Sequence, residues 1–209
     1  MTFSIVARDP ETLALGVAVS TAIPAVGSVV PHIEADVGAI ATQAHTNLTY
    51  GIKGLQLLKK HMTPEEALRK MLPKDKEKET RQVIIIDSLG RTAAFTGSQT
   101  DDWKGHHIGN NYVTAGNTLV GKKVIEAMAH AFENQKGSLT DRLLAALKAG
   151  QDAGGDKRGR MSAALKVTDR RWKGTSRPLL DLRVDVHLEP VEELLRIYAV
   201  SRAYFHIPE

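Results

Sequence analysis

The 209 residues contain no cysteine, which rules out a disulfide frame and a thiolate zinc site and makes a cytoplasmic setting the default expectation. Long apolar runs are also missing. The densest, Val83 to Ile86, is far too short to cross a bilayer, so no membrane association is expected. The opening Met-Thr-Phe-Ser-Ile-Val-Ala-Arg-Asp lacks a basic stretch followed by a long apolar one, so no secretory signal is expected. Aromatics make up only 5% of the chain. Basic residues are spread along it, with local clusters at Lys157-Arg158-Gly159-Arg160 and Arg170-Arg171-Trp172-Lys173. Nucleic-acid binders usually carry a charge stripe interleaved with aromatics, so a net charge of +4 without one argues against that class. Repeats and low-complexity tracts are lacking too.

What remains is an average globular composition, 42% hydrophobic and 25% charged, enough to bury a substantial core. Thr2 to Ala7 alternates, with Phe3, Ile5 and Ala7 on one face and Ser4 and Val6 on the other, as a strand requires. Asp9-Pro10-Glu11-Thr12 is turn chemistry and Leu15 to Ser20 a returning strand. Strands are expected at 26–34 and 37–44, with Pro31 marking a start or edge. Helices follow at 50–62 and from Thr63, where threonine as N-cap, proline at N1 and Glu66 at N3 form a start signal. A hairpin spans 81–97 across Ser88-Leu89-Gly90. A polar loop carries Trp103, His106 and His107 to a strand at 112–116. Two helices (120–135 and 139–151), strands at 162–168 and 181–187, and a helix from Glu189-Pro190 to about Ala203 complete the chain. Helices arrive in pairs between hairpin-linked strands, which disfavours a doubly wound parallel sheet. The expected class is α+β: one domain over residues 1–209, two mainly antiparallel sheets between helical layers.

Several segments resemble the domain-of-unknown-function (DUF) 1028 family: Thr2-Phe-Ser-Ile-Val-Ala-Arg-Asp-Pro-Glu-Thr12, Gly16-Val-Ala-Val-Ser20, Ala41-Thr-Gln-Ala44, Asp102-Trp103-x-Gly105-His106, Gly116-Asn117, Ala153 to Ala164 and Asp181-Leu-Arg-Val-Asp185. The resemblance covers nearly the whole chain, and the glycine-aspartate-arginine block is its most specific part. It implies the four-layer α-β-β-α fold of the N-terminal nucleophile (Ntn) hydrolases, and no established reaction comes with it.

An Ntn hydrolase attacks an amide with the side chain of its first mature residue, whose free α-amine accepts the proton. Thr2 fits that role if Met1 is removed. The loop from Gly154 to Ser162 is the second candidate. Asp156 is expected to orient an amine, Arg158 and Arg160 to clamp a carboxylate bidentately, and Ser162 to hold the nucleophile's amine. The blander reading is an Asp–Arg pair pinning a helix-to-strand turn. Asn117 is read either as an oxyanion donor or as the N-cap of a helix near Leu119. Gln43 and His45 are candidates to line the same cleft. His106-His107 beside Asp101-Asp102 is not read as a metal site, because neighbouring residues of a strand face opposite ways.

These residues point to an amidohydrolase acting on a small carboxylate-bearing amide, with no cofactor. The alternative is a non-catalytic relative that binds a small anionic metabolite. A homo-oligomer is also expected, through a C-terminal helix bearing Tyr198, Tyr204 and Phe205. All of this requires that the start of the chain lie against the 154–162 bend.

Overall fold

The computed structural model describes residues 2–170 and 179–205 (the side chain of Phe205 excepted), so most of the basic run at 170–173 lies outside the described residues. The chain runs β1 (Thr2–Arg8), β2 (Leu15–Thr21), a 3-10 turn (Val26–Ser28), β3 (Pro31–Glu34), β4 (Gly38–Ala44), α1 (Leu48–Lys59) and α2 (Pro64–Met71). Two 3-10 turns lead to β5 (Arg81–Asp87), β6 (Thr92–Thr96), β7 (Gly105–Gly109) and β8 (Tyr112–Asn117). Then come α3 (Lys123–Asn134), α4 (Leu139–Asp152), β9 (Ser162–Thr168), β10 (Leu180–Val184) and α5 (Pro190–Phe205). One sheet has the order β10-β9-β2-β1-β8-β7 and the other β3-β4-β5-β6, and their ladders are antiparallel.

Strand alternation divides the core into three layers. Phe3, Ile5 and Ala7 point to one side of β1 and pack with α3, α4 and α5. Val6 points to the other side and meets Ala39, Ala41, Ile84 and Ile86 of the second sheet. Ile40, Val83 and Ile85 leave that sheet on its far face and bury against Tyr50, Leu58, Leu68 and Met71 of α1 and α2. The result is the α+β four-layer sandwich that the pairing of helices suggested. Full burial of side chains such as Phe3 and Ile85 stabilises by about 1.5–3 kcal/mol each.

Local signals account for many of the boundaries. Asp9 Oδ1 accepts the amides of Glu11 and Thr12, closing the first hairpin. Thr63 and Glu66 form the reciprocal capping box read from the sequence, and Ser138 with Asp141 forms a second. Asn47 accepts the amide of Thr49 and starts α1 two residues earlier than the apolar spacing suggested.

Four expectations need correction. Residues 26–34 are not one strand: Ala25 is left-handed (φ 54), Val26–Ser28 make a 3-10 turn, and β3 begins only at Pro31. The histidine pair lies on β7, an edge strand, rather than in a loop. α3 starts at Lys123 because Leu119 and Val120 are engaged by the 154–156 loop, so Asn117 is no helix cap. β10 spans Leu180–Val184, ending before Val186 and His187. On α5, Tyr198 is consumed by the chain's own core, whereas Tyr204 is exposed. Among the described residues no helix is long and apolar enough to cross a membrane.

Between α2 and β5 the chain is tied by Asp75. Its Oδ2 accepts Arg81 Nε at 3.0 Å and Asn47 Nδ2 at 3.2 Å, and its Oδ1 accepts the Glu77 amide at 2.9 Å. Burial by itself raises the pKa of this carboxyl, but the donors outweigh it and hold the group at about 2. The folded value lies below the unfolded one, so the stabilisation is complete above about pH 4 and disappears as pH falls to about 2. Asp75→Asn is expected to cost roughly 1–2 kcal/mol at neutral pH and to flatten the stability loss across that acid window, as read by urea unfolding at several pH values.

Candidate active site

β1 is a central strand, flanked by β2 and β8. Its first residue therefore lies between the last residue of one neighbour and the last residue of the other. The register pairs Thr2 with Thr21 and with Asn117, and Thr21 in turn with Ser162. Paired residues of an antiparallel ladder project to the same face. For these four it is the face between the sheets, the side taken by Val6, Val19, Ala115 and Ala164. Thr2 is buried and its Oγ1 donates to Thr21 Oγ1 at 3.3 Å.

The 153–161 loop bridges both neighbours of β1. On one side the Met161 amide bonds Thr21 O (2.9 Å) and the Ala22 amide bonds Asp156 Oδ2 (3.2 Å). On the other the Val120 amide bonds Gly155 O (3.1 Å) and the Lys157 amide bonds Thr118 O (3.0 Å). The loop thus spans the beginning of β1, as the sequence reading required. Its path depends on Gly154, whose φ of 110 ends α4 in a region closed to side chains. Gly155 follows at φ 54 and sits against Phe3, where a Cβ would meet the ring at 3.0 Å.

Individual side chains play parts different from those expected. Asp156 is buried and holds Arg158 in a fork, Nε to Oδ1 at 3.2 Å and Nη2 to Oδ2 at 2.8 Å. Arg160 is paired with Glu189. Both guanidinium groups are closed on the protein's own carboxylates, so neither is presented as a ready clamp for a substrate carboxylate. Ser162 Oγ donates to Ile23 O at 2.6 Å and accepts the Val26 amide at 3.1 Å, which pins the β2–β3 connection rather than an amine at Thr2. His45 is exposed beyond the left-handed Ala44 and engages Thr80 and Arg81 through its backbone, so it does not line the cleft. Among the described residues no three of His, Asp or Glu gather as a metal site would need.

Gln43 belongs to a polar network that runs between the sheets behind Thr2, and its direction can be derived. Gln82, fully buried on β5, faces the carbonyl oxygens of Gly105 (3.0 Å) and Gly116 (2.9 Å). Carbonyls only accept, so the atom facing them is the NH2 nitrogen. Gln82 Oε1 is then the acceptor for Gln43 Nε2 at 2.7 Å and for Asn117 Nδ2 at 2.9 Å. Gln43 Oε1 in turn accepts Ser4 Oγ at 2.6 Å. The same logic turns the amide of Asn117: one N–H is committed to Gln82, and the atom left with no partner is the acceptor Oδ1. The open atom is thus an acceptor, whereas the expected oxyanion role calls on the NH2 end, one of whose two N–H groups is already bonded to Gln82.

Next to it, Thr118 is buried, has an unpartnered Oγ1 and adopts φ 54. A β-branched residue in that region costs on the order of 1–3 kcal/mol and is kept only where its surroundings over-determine it. Two orphaned polar atoms and a strained backbone therefore lie at the end of β8, whose Asn117 pairs with Thr2. Ser4, Thr21, Gln82 and Thr118 were not singled out from the sequence. The isolated Gln82 at the head of Val83-Ile-Ile-Ile86 was the available signal, since a polar residue in a buried strand must find partners.

Gln82 is the node of this network. Gln82→Leu would strand two glutamine or asparagine donors and two backbone carbonyls. It is expected to destabilise by roughly 3 kcal/mol or more, against about 1 kcal/mol for Ser4→Ala, measured by urea unfolding.

The chain matches the family of unknown function DUF1028 over residues 2–194. Among solved structures it is similar to the crystal structure of protein SPO2555 from Silicibacter pomeroyi, assigned to the same family. That match has a TM-score of 0.88 and 35% identity, and covers 96% of this chain and 89% of that one. A remote likeness to Anbu, an ancestral beta-subunit from Yersinia bercovieri, has a TM-score of 0.42 and 12% identity over 100% of this chain and 99% of that one. No curated protein matches the chain. Family match and near-complete structural overlap lead to one assignment: this protein belongs to the DUF1028 family.

Proposed function

We propose that the chain is an N-terminal nucleophile amidohydrolase whose attacking group is Thr2 Oγ1 once Met1 has been removed. The observation that carries this reading is the buried, unpartnered Asn117 Oδ1, one register position across from Thr2. An acceptor left open beside the first residue of a central strand suits a protonated α-amine. Such an amine has a pKa near 8, low enough to take a proton from the hydroxyl and return it.

In the proposed reaction the Oγ1 proton passes to the α-amine as Oγ1 bonds to the substrate carbonyl carbon. The amine hands that proton to the departing nitrogen, and a threonyl ester remains. Water, deprotonated by the same amine, then releases the acid and restores Thr2. Asn117 is the positioning residue for the amine. Thr21, bonded to Thr2 Oγ1, sets the hydroxyl's rotamer. Asp156 and Ser162 hold the walls, through Ala22 and Val26 respectively. Because Arg158 and Arg160 are already paired, the substrate class is drawn from the amide bond and not from a carboxylate.

Protein expressed from its natural start should lack Met1 by intact mass. It should also take up one equivalent of a hydroxyl-reactive β-lactone on the peptide that begins at Thr2. Thr2→Ser should keep this labelling, Thr2→Ala should abolish it, and Asn117→Leu should slow it by at least tenfold. Retained methionine, or equal labelling of Thr2→Ala, would remove Thr2 from the chemistry.

A further inference from the structure

A second concavity lies in the α1–α2 layer, beyond the second sheet and away from Thr2. Its volume is about 380 Å3, and its wall includes Lys53 of α1, Lys60 just after that helix, and Lys70 and Lys74 from the end of α2 and the 3-10 turn after it. Helix geometry explains the convergence. Lys53 and Lys60 are two turns apart on one stripe, and Lys70 and Lys74 are one turn apart on another. Among the described residues no ion pair joins any of the four to an acid, whereas neighbouring Lys59 reaches Glu34 at 2.6 Å. Like charges at this spacing repel and cost stability while nothing anionic lies between them.

The wall has one acid, Asp75, and its charge is already countered by Arg81 at 3.0 Å. It also has one buried hydroxyl. Tyr50 is 2% exposed and lines the concavity, and its hydroxyl is sealed from solvent beside the Asp75 carboxylate. Burial, then the Asp75 charge and a hydrogen bond to that carboxylate, push its pKa up, so the phenol keeps its proton. Four ammonium groups with no acid paired to them, converging on one concavity, make a receptor for concentrated negative charge. The volume falls within the range of small-ligand pockets and its concave form suits a compact ion better than a polymer.

We propose that this concavity binds a small polyanion carrying two linked phosphates, with the four lysines against the phosphate oxygens. The inference is independent of the reading of Thr2. The source of the diphosphate can be inorganic pyrophosphate or a nucleoside diphosphate, and the two arms of the test separate these.

The test is calorimetric titration of the full chain with inorganic pyrophosphate and, separately, with ADP. One saturable site is expected, weakening several-fold as salt rises from about 0.05 to about 0.3 M. Comparable affinities would assign recognition to the diphosphate alone, and tighter ADP binding would add a nucleoside contact in the same site. The double variant K53E/K70E should bind at least tenfold more weakly. Lys123→Glu on α3 should bind as the parent does. Lys53, Lys70 and Lys123 are all exposed, so the variants should fold, and K53E/K70E should melt no lower than the parent because a repulsion has been relieved. The proposal is overturned by failure of both probes to saturate at roughly 10 mM. It is equally overturned by parent-like binding in K53E/K70E, or by lysine-dependent binding of RNA without any binding of pyrophosphate.

Discussion

The register of β1 is the constraint on which the rest of this structure depends. A strand has a side-chain period of two, so a slip of one residue would exchange its faces. Thr2 and Ser4 would then point into the α3–α4 layer, and Phe3 and Ile5 would point between the sheets. The register is held from both sides, by seven paired positions with β2 and six with β8, and by the bulk of Phe3 against the helices. What stands opposite Thr2 follows from that alone: Thr21 on one side and Asn117 on the other.

The space behind Thr2 is polar in an otherwise apolar seam. Ser4, Gln43, Gln82 and Asn117 replace the valine, alanine and isoleucine contacts that fill the rest of the inter-sheet layer. A buried amide network of this kind adds little net stability, since each bond replaces one to water, but it penalises any arrangement that leaves a member unpaired. Its polarity is imposed by two backbone carbonyls, Gly105 O and Gly116 O, which only accept. That polarity travels through Gln82 to the one open atom, Asn117 Oδ1. A backbone feature of β7 and β8 thereby determines which end of an asparagine is left open across from Thr2, the first residue of β1.

Charge is distributed in two different ways. In the 156–160 loop every guanidinium is answered from within, Arg158 by Asp156 and Arg160 by Glu189. There the cations act as struts, holding the loop across the start of β1. On the α1–α2 face the lysines stand without such answers, and Asp75, the one acid among them, is taken by Arg81. The two arginines of the 157–160 cluster are thus structural, and lysines dispersed over three short segments form the concentrated patch.

Much of the architecture was legible from the residues alone, because its causes are local. Period-two alternation in Thr2–Ala7 gave both faces of β1 correctly, Thr63-Pro-Glu-Glu66 marked the start of α2, and Ser162–Thr168 was bounded as a strand. The segments that misled have non-local causes. Val26–Ser28 leaves the strand conformation where Ser162, 136 residues away, caps its amide. The start of α3 is delayed because Leu119 bridges to Asp156. β7 becomes a strand because β8 offers it an edge. The candidate residues divide in the same way. That Thr2 and the Gly154–Ser162 loop lie together was a geometric requirement of the sequence reading, and the loop's bonds to both neighbours of β1 meet it. The closure of both arginines, the turning of Ser162 toward Ile23 and the orientation of Asn117 follow from hydrogen-bond partners far away in the chain. A sequence determines which groups a segment can offer and how often they recur on one face; only packing determines which of those groups are already spent when a substrate arrives.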